Sequence, residues 1–147
     1  MGVGLRFEET MRGHLAPATG APPRSMTLRA CVESTSITGL WLSEPMPLTG
    51  SMDIEGVVAA APTTGTIEVD LLRCRRIVYD LAWLGTDGAR GRFYGWKSLQ
   101  LLSPLRSCTE LTGKVVQEGK LVGEAVLRFD LRDLPAFLRT FRPRRRR

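Results

Sequence analysis

Apolar residues recur at every second position in short runs divided by turn-forming residues, and no other feature constrains the chain as much. Met26, Leu28, Ala30 and Val32 alternate with Thr27, Arg29, Cys31 and Glu33. Ile67, Val69 and Leu71 repeat the pattern around Glu68 and Asp70, and Ile77, Tyr79, Leu81 and Trp83 repeat it around Val78, Asp80 and Ala82. A period of two puts alternate side chains on opposite faces of a strand, so these runs predict half-buried strands with one apolar face. Leu5 to Met11 suggests a short first strand, and the Pro/Gly/Ala-rich stretch from Ala16 to Pro23 predicts a loop after it. Arg92 to Leu99 follows the Thr86-Asp87-Gly88 turn as the return strand of a hairpin. A last hairpin runs from Cys108 to Gln117, turns at Glu118-Gly119 and returns over Lys120 to Asp130, with Leu121, Gly123, Ala125, Leu127 and Phe129 on one face. Leu48 to Ala60 alternates imperfectly around Gly50 and Gly56, which reads as one bent strand or two short ones, followed by a turn at Pro62-Thr63-Thr64-Gly65.

Two segments break the period. Ser34 or Thr35 is placed to cap a short helix reaching Trp41-Leu42, which Pro45 and Pro47 would end. After Leu131, the residues Leu134, Phe137, Leu138 and Phe141 are spaced by three and four, which predicts an amphipathic helix stopped by Pro143. Together the runs predict a mainly β fold: a single antiparallel β-barrel of about seven to nine strands, lipocalin-like in shape, with a short helix after strand 2 and a C-terminal amphipathic helix. Residues 1–143 would form the domain and residues 144–147 a disordered basic tail. A closed barrel leaves few free strand edges, and a chain of this length buries roughly 70% of its extended surface without needing a metal or disulfide.

The 21 Lys and Arg against 15 Asp and Glu give a net charge of +6, but four of those charges are Arg144 to Arg147. The body is nearly balanced, so its basicity belongs to the tail. With no aromatic platform beside the arginines, specific nucleic-acid readout is not expected, and a weak contact with an anionic membrane surface through Arg144–Arg147 fits better. The three cysteines, Cys31, Cys74 and Cys108, have no metal-ligand spacing and cannot all pair with one another, which points to reduced thiols and a cytoplasmic location. No run approaches the roughly 20 apolar residues of a membrane helix, and no cofactor or metal motif is present.

The opening Leu5-Arg6-Phe7-Glu8-Glu9-Thr10-Met11-Arg12-Gly13 is similar to the F-x-E-x-M-x-G start of an accessory β-barrel domain associated with bacterial cholesterol oxidases of the glucose-methanol-choline type. Arg92-Phe93-Tyr94-Gly95-Trp96-Lys97 resembles that domain's strand ending in lysine, and Glu124 to Asp130 followed by Phe137 to Arg142 resembles its closing strand and helix. The resemblance implies a small β-rich domain associated with sterol and lipid oxidation, without a flavin site and without a catalytic group that transfers. No Gly-x-Gly-x-x-Gly turn follows a strand, so redox activity itself is not expected.

Candidate site residues follow from this layout. Tyr79, Trp83, Phe93, Tyr94, Trp96 and Phe129 lie on adjacent strands, where they would either line an apolar ligand cavity or fill the barrel solid. Glu8 or Glu9 must point inward, since Phe7 and Glu9 share one face of the strand while Glu8 shares the other with Arg6 and Thr10; a carboxylate inside the barrel needs a partner, which Arg92 or the row Arg73, Arg75 and Arg76 would supply, and the resemblance of the opening suggests a fixed role for Glu9. His14, the one histidine, follows Glu9 by five residues, and the pair is either an acid–base couple or a structural carboxylate with a loop-anchoring histidine. The expected function is a non-catalytic lipid- or sterol-associated binding domain with a hydrophobic small molecule or lipid as ligand. The alternatives are a cofactor-independent isomerase or cyclase using Glu9 and His14, or a docking partner of an oxidoreductase.

Overall fold

Where the apolar runs alternate, the chain forms strands, and each strand pairs antiparallel with the next. The computed structural model describes residues 3–34, 45–70, 76–85, 87–98, 110–129 and 142–145. The strands are β1 (Val3–Pro17), β2 (Arg24–Ser34), β3 (Met46–Ile54), β4 (Val58–Asp70), β5 (Arg76–Leu84), β6 (Arg90–Ser98), β7 (Glu110–Gln117), β8 (Lys120–Phe129) and β9 (Arg142–Arg145). Strands β2 to β8 follow one another around the sheet, and β1 pairs with both β2 and β8, which closes an eight-stranded barrel. Tracing paired residues from Phe7 through Val32, Leu48, Gly65, Leu81, Phe93, Val115 and Gly123 returns to β1 at Pro17, ten residues along. Such a stagger tilts the strands steeply, and an eight-stranded barrel has an interior just wide enough to be filled by side chains or to hold one small ligand.

Inward positions carry the apolar row and outward positions carry charge, among them Arg12, Arg29, Arg92, Lys114, Glu124 and Arg128. That polarity is the reverse of a membrane-spanning barrel, whose apolar band faces outward. Side chains in the middle of their strands, including Leu81, Phe93, Val115 and Leu127, have 0% accessible surface and therefore border no void that a water molecule can enter. Closing so small a barrel requires close strand approaches, and glycines supply them. The Phe93 ring lies over the backbone of two neighbours: a Cβ at Gly95 would come within 2.6 Å of it and one at Gly113 within 2.8 Å.

The hairpin at Glu118-Gly119 forms as expected, with φ of 50° and 75° at the two turn residues, the paired positive values of a type I′ turn. The expected turn at Pro62 to Gly65 does not form. These residues continue β4, and the chain reverses earlier, between β3 and β4, where Gly56 has φ 74°. Pro62 lies just outside the β4–β5 ladder, which starts at Thr63, so its missing N–H costs no bond to β5. Gly65 is needed because a Cβ there would overlap the backbone carbonyl of Asp80 on β5.

Strand β9 pairs Arg142–Arg145 with the first residues of β1, on the edge that β8 follows further along. Arg144 and Arg145, expected in a disordered tail, are therefore part of the sheet, and Pro143 pairs with Leu5 within β9. The two expected helices, over 35–42 and after Leu131, lie outside the described residues. The β1–β2, β3–β4, β5–β6 and β7–β8 turns share one end of the barrel, and the connections over 35–44, 71–75, 99–109 and 130–141 leave from the other.

Candidate functional site

The alternation of β1 sends Glu9 inward with Met11, and of β6 sends Lys97 inward with Phe93 and Gly95. Strand β5 stands across the barrel from β1, and its inward Tyr79 reaches over to donate a hydrogen bond from Oη to Glu9 Oε1 at 2.5 Å. Lys97 Nζ donates to the other oxygen, Oε2, at 3.5 Å and stands 5.2 Å from the centre of the Tyr79 ring. The side chains of Lys97 and Glu9 are only 4% and 5% accessible, so this is an ion pair inside the barrel, whose other buried side chains among the described residues are apolar apart from Thr63 and the polar tips of Tyr79 and Trp83. The cluster lies toward the end from which the long connections leave, because Tyr79 is near the start of β5 and Lys97 near the end of β6.

A buried ion pair recovers its desolvation cost only when its geometry and hydrogen bonding are good. Here Glu9 is well held: each carboxylate oxygen has a donor. Lys97 is not, since an ammonium has three donors and Glu9, 3.5 Å away, is the one acceptor it reaches among the described residues. The arrangement places an ammonium with spare donors, a carboxylate and a phenol at one end of a largely apolar interior.

The expected inward carboxylate is therefore present, but its partners differ from those expected. Arg92 faces outward and makes two bonds to Asp80, Nε to Oδ1 at 3.0 Å and Nη2 to Oδ2 at 2.8 Å. That pairing raises the Arg92 guanidinium above its ordinary value, first through the hydrogen bond and then through the charge of Asp80. Arg76 is exposed, and Arg73 and Arg75 lie outside the described residues. Lys97 was legible by parity, standing two and four residues after the inward Gly95 and Phe93.

His14 is exposed on the outer wall, whereas Glu9 is buried inside. Five residues along a strand is an odd spacing, which puts the two side chains on opposite faces, so they do not form an acid–base couple. The six aromatic candidates divide in the same way. Tyr79, Trp83 and Phe93 point inward and are buried, while Tyr94 is exposed and Trp96 half-buried on the outer wall, their rings 6.5 Å apart at 56°. Phe129 is placed by its backbone, opposite Met11.

The wall opposite the aromatic strands has a different chemistry. Met11, Met26, Met46 and Met52, four of the five methionines in the chain, lie inward on β1, β2 and β3. Methionine is flexible and polarizable and fills irregular space, which is why it recurs on binding surfaces that adapt to their ligand. On the aromatic wall, the Trp83 indole covers Gly91, where a Cβ would overlap the ring, and its Nε1–H is buried without a hydrogen-bond partner among the described residues.

At the turn end, an open groove of about 550 Å3 runs past Asp53, Val58, Ala60, Pro62, Leu84 and Asp87. Its carboxylates hold turns together: Asp53 accepts from the Ala60 N–H at 2.7 Å, Glu55 from the Ser25 N–H at 3.3 Å and Asp87 from the Ala89 N–H at 3.0 Å. Among the described residues no three His, Cys, Asp or Glu side chains meet as a set of metal ligands. Comparison with family models, with curated proteins and with solved structures finds no match to this chain.

Proposed function

We propose that this barrel binds an apolar small molecule of the lipid class and holds the molecule's polar end at Glu9, Tyr79 and Lys97. The observation that carries the reading is the ion pair buried at one end of an apolar barrel. Apolar residues of similar volume would stabilise the fold as well or better, so a charged cluster there supports a recognition role. A carboxylic acid, hydroxyl or carbonyl would supply the acceptor that the Lys97 ammonium lacks.

Because the central side chains border no void, a ligand enters by displacing side chains, and the methionine wall is the part of the interior best able to yield. Native mass spectrometry before and after incubation with fatty acids, sterols and a crude lipid extract tests the reading. A retained apolar ligand that raises the melting temperature supports it. An unliganded mass and an unchanged melting temperature with every mixture would overturn it.

The solid centre of the barrel favours a second reading, in which the domain is a docking partner and its contact surface is the outer wall. Tyr94 and Val126 are exposed there, and aromatic residues are frequent anchors of protein interfaces. The resemblance of residues 5–13 and 92–97 to a domain accompanying cholesterol oxidases suggests a flavin-dependent oxidase as that partner. Co-purification with such an oxidase, lost in a Tyr94→Ala, Trp96→Ala variant, would favour docking.

A further inference from the structure

We propose that Lys97 is a covalent capture site for an apolar aldehyde, forming an imine inside the barrel; this rests on the reading of the barrel as a small-molecule binder.

The choice of residue points to this chemistry. The chain has 18 arginines and only three lysines, Lys97, Lys114 and Lys120. Arginine is the better residue for a buried ion pair, since its planar fork binds a carboxylate through two bonds and its charge is permanent. Arginine holds Asp80 in that way on the outer wall, yet the buried carboxylate is met by lysine through a single 3.5 Å contact. What lysine offers and arginine does not is an amine that becomes a nucleophile once it gives up a proton.

The neighbours of Lys97 supply the rest of the reaction. Glu9 Oε2, 3.5 Å from Nζ, accepts the proton that the ammonium must lose. Tyr79 holds the other carboxylate oxygen at 2.5 Å, so the accepting oxygen stays aimed at Nζ. The free amine then attacks the aldehyde carbon, forming the C–N bond of a carbinolamine. The proton on Glu9 moves to the carbinolamine hydroxyl, which leaves as water as the C=N bond forms, and the resulting iminium returns its N–H proton to the Glu9 carboxylate, leaving a neutral imine beside a protonated Glu9. The net change is one amine and one aldehyde to one imine and one water, with no oxidant or reductant. The reaction replaces a charged pair in an apolar interior by a neutral adduct whose tail lies among the methionines and aromatics.

Decanal and sodium cyanoborohydride with the full chain provide the test, because reduction fixes an imine as a stable secondary amine. Peptide mapping then compares Lys97 with the exposed Lys114 and Lys120. The expected result is one adduct per chain, on Lys97, formed at least about tenfold faster than on either exposed lysine. Lys97→Arg, which keeps the charge, should abolish that adduct, and Glu9→Gln should slow it about a hundredfold, the scale of general acid–base assistance. Adducts confined to Lys114, Lys120 and the N-terminal amine would overturn capture even if the wild-type chain retained unmodified decanal on native mass spectrometry, an outcome that leaves the binding reading standing. No retention of decanal, fatty acid or sterol in any form would overturn both.

Discussion

Replacing Lys97 by methionine keeps most of the side-chain volume and removes one charge from a cluster whose charged members are about 95% shielded from solvent. Glu9 would then be a buried carboxylate held by Tyr79 alone. Breaking a buried pair from one side costs about 3–5 kcal/mol, mostly as the penalty of the charge left behind. The lower end applies, because the 2.5 Å bond from Tyr79 survives and the 3.5 Å bond that is lost is long. The expected cost for Lys97→Met is about 3 kcal/mol, near 10 °C in melting temperature for a chain of this size. Adding Glu9→Gln removes the stranded charge while the amide oxygen still accepts from Tyr79, so the double variant should recover about 2 kcal/mol of the loss. Urea unfolding followed by far-UV circular dichroism measures all three variants, with an unchanged slope showing that they unfold from the same compact state. A loss under about 1 kcal/mol for Lys97→Met, or strictly additive losses in the double variant, would refute the claim that Glu9 and Lys97 form a coupled charge pair in a dry interior.

Phe93→Ala should cost about 3–5 kcal/mol, since it empties the centre of a filled barrel and uncovers Gly95 and Gly113, as chemical denaturation would show. Trp83→Phe should cost less than about 1.5 kcal/mol, because the lost volume is offset by removal of an N–H that has no partner; a loss as large as that of Phe93→Ala would mean that Nε1 is satisfied. Gly113→Ala should cost roughly 2 kcal/mol or more, as its Cβ would sit 2.6 Å from the Gly95 Cα, whereas Gly20→Ala meets no atom and strains only its own backbone; equal melting temperatures would contradict this contrast. Acrylamide should quench a fluorescence component that Trp96→Phe removes, and Trp83→Phe should leave that component in place.

The strands were legible wherever one face is apolar and the other polar, as in β2, β5 and β8, because that contrast fixes which residues turn inward. Legibility failed where parity was set aside for residue type. Grouping Tyr94 and Trp96 with Phe93 as ligand contacts overlooked that adjacent residues of one strand face opposite ways. Pairing His14 with Glu9 made the same error over five residues. That one of Glu8 and Glu9 turns inward was predictable, but the partner was sought among arginines, and neither Tyr79 nor Lys97 is near Glu9 in sequence. Only the ten-residue stagger of the closed barrel decides which residues meet across it. The turn placed at Pro62 failed because proline and glycine mark ladder ends and close backbone approaches as well as reversals.

Strand β1 begins the chain and also closes the barrel. Within the eight-stranded barrel every other neighbouring pair joins strands that follow each other directly, whereas the β1–β8 seam joins residues more than a hundred positions apart, such as Met11 and Phe129, and β9 adds to the same strand β1. The hairpins of β2 to β8 can therefore assemble as an open, curling ribbon before the seam forms, and the loop entropy of that last step falls on a single contact line. In native-state hydrogen exchange, the amides that bridge β1 and β8 should lose protection at lower free energy than those between β5 and β6, which makes the N-terminal strand the latch of the fold.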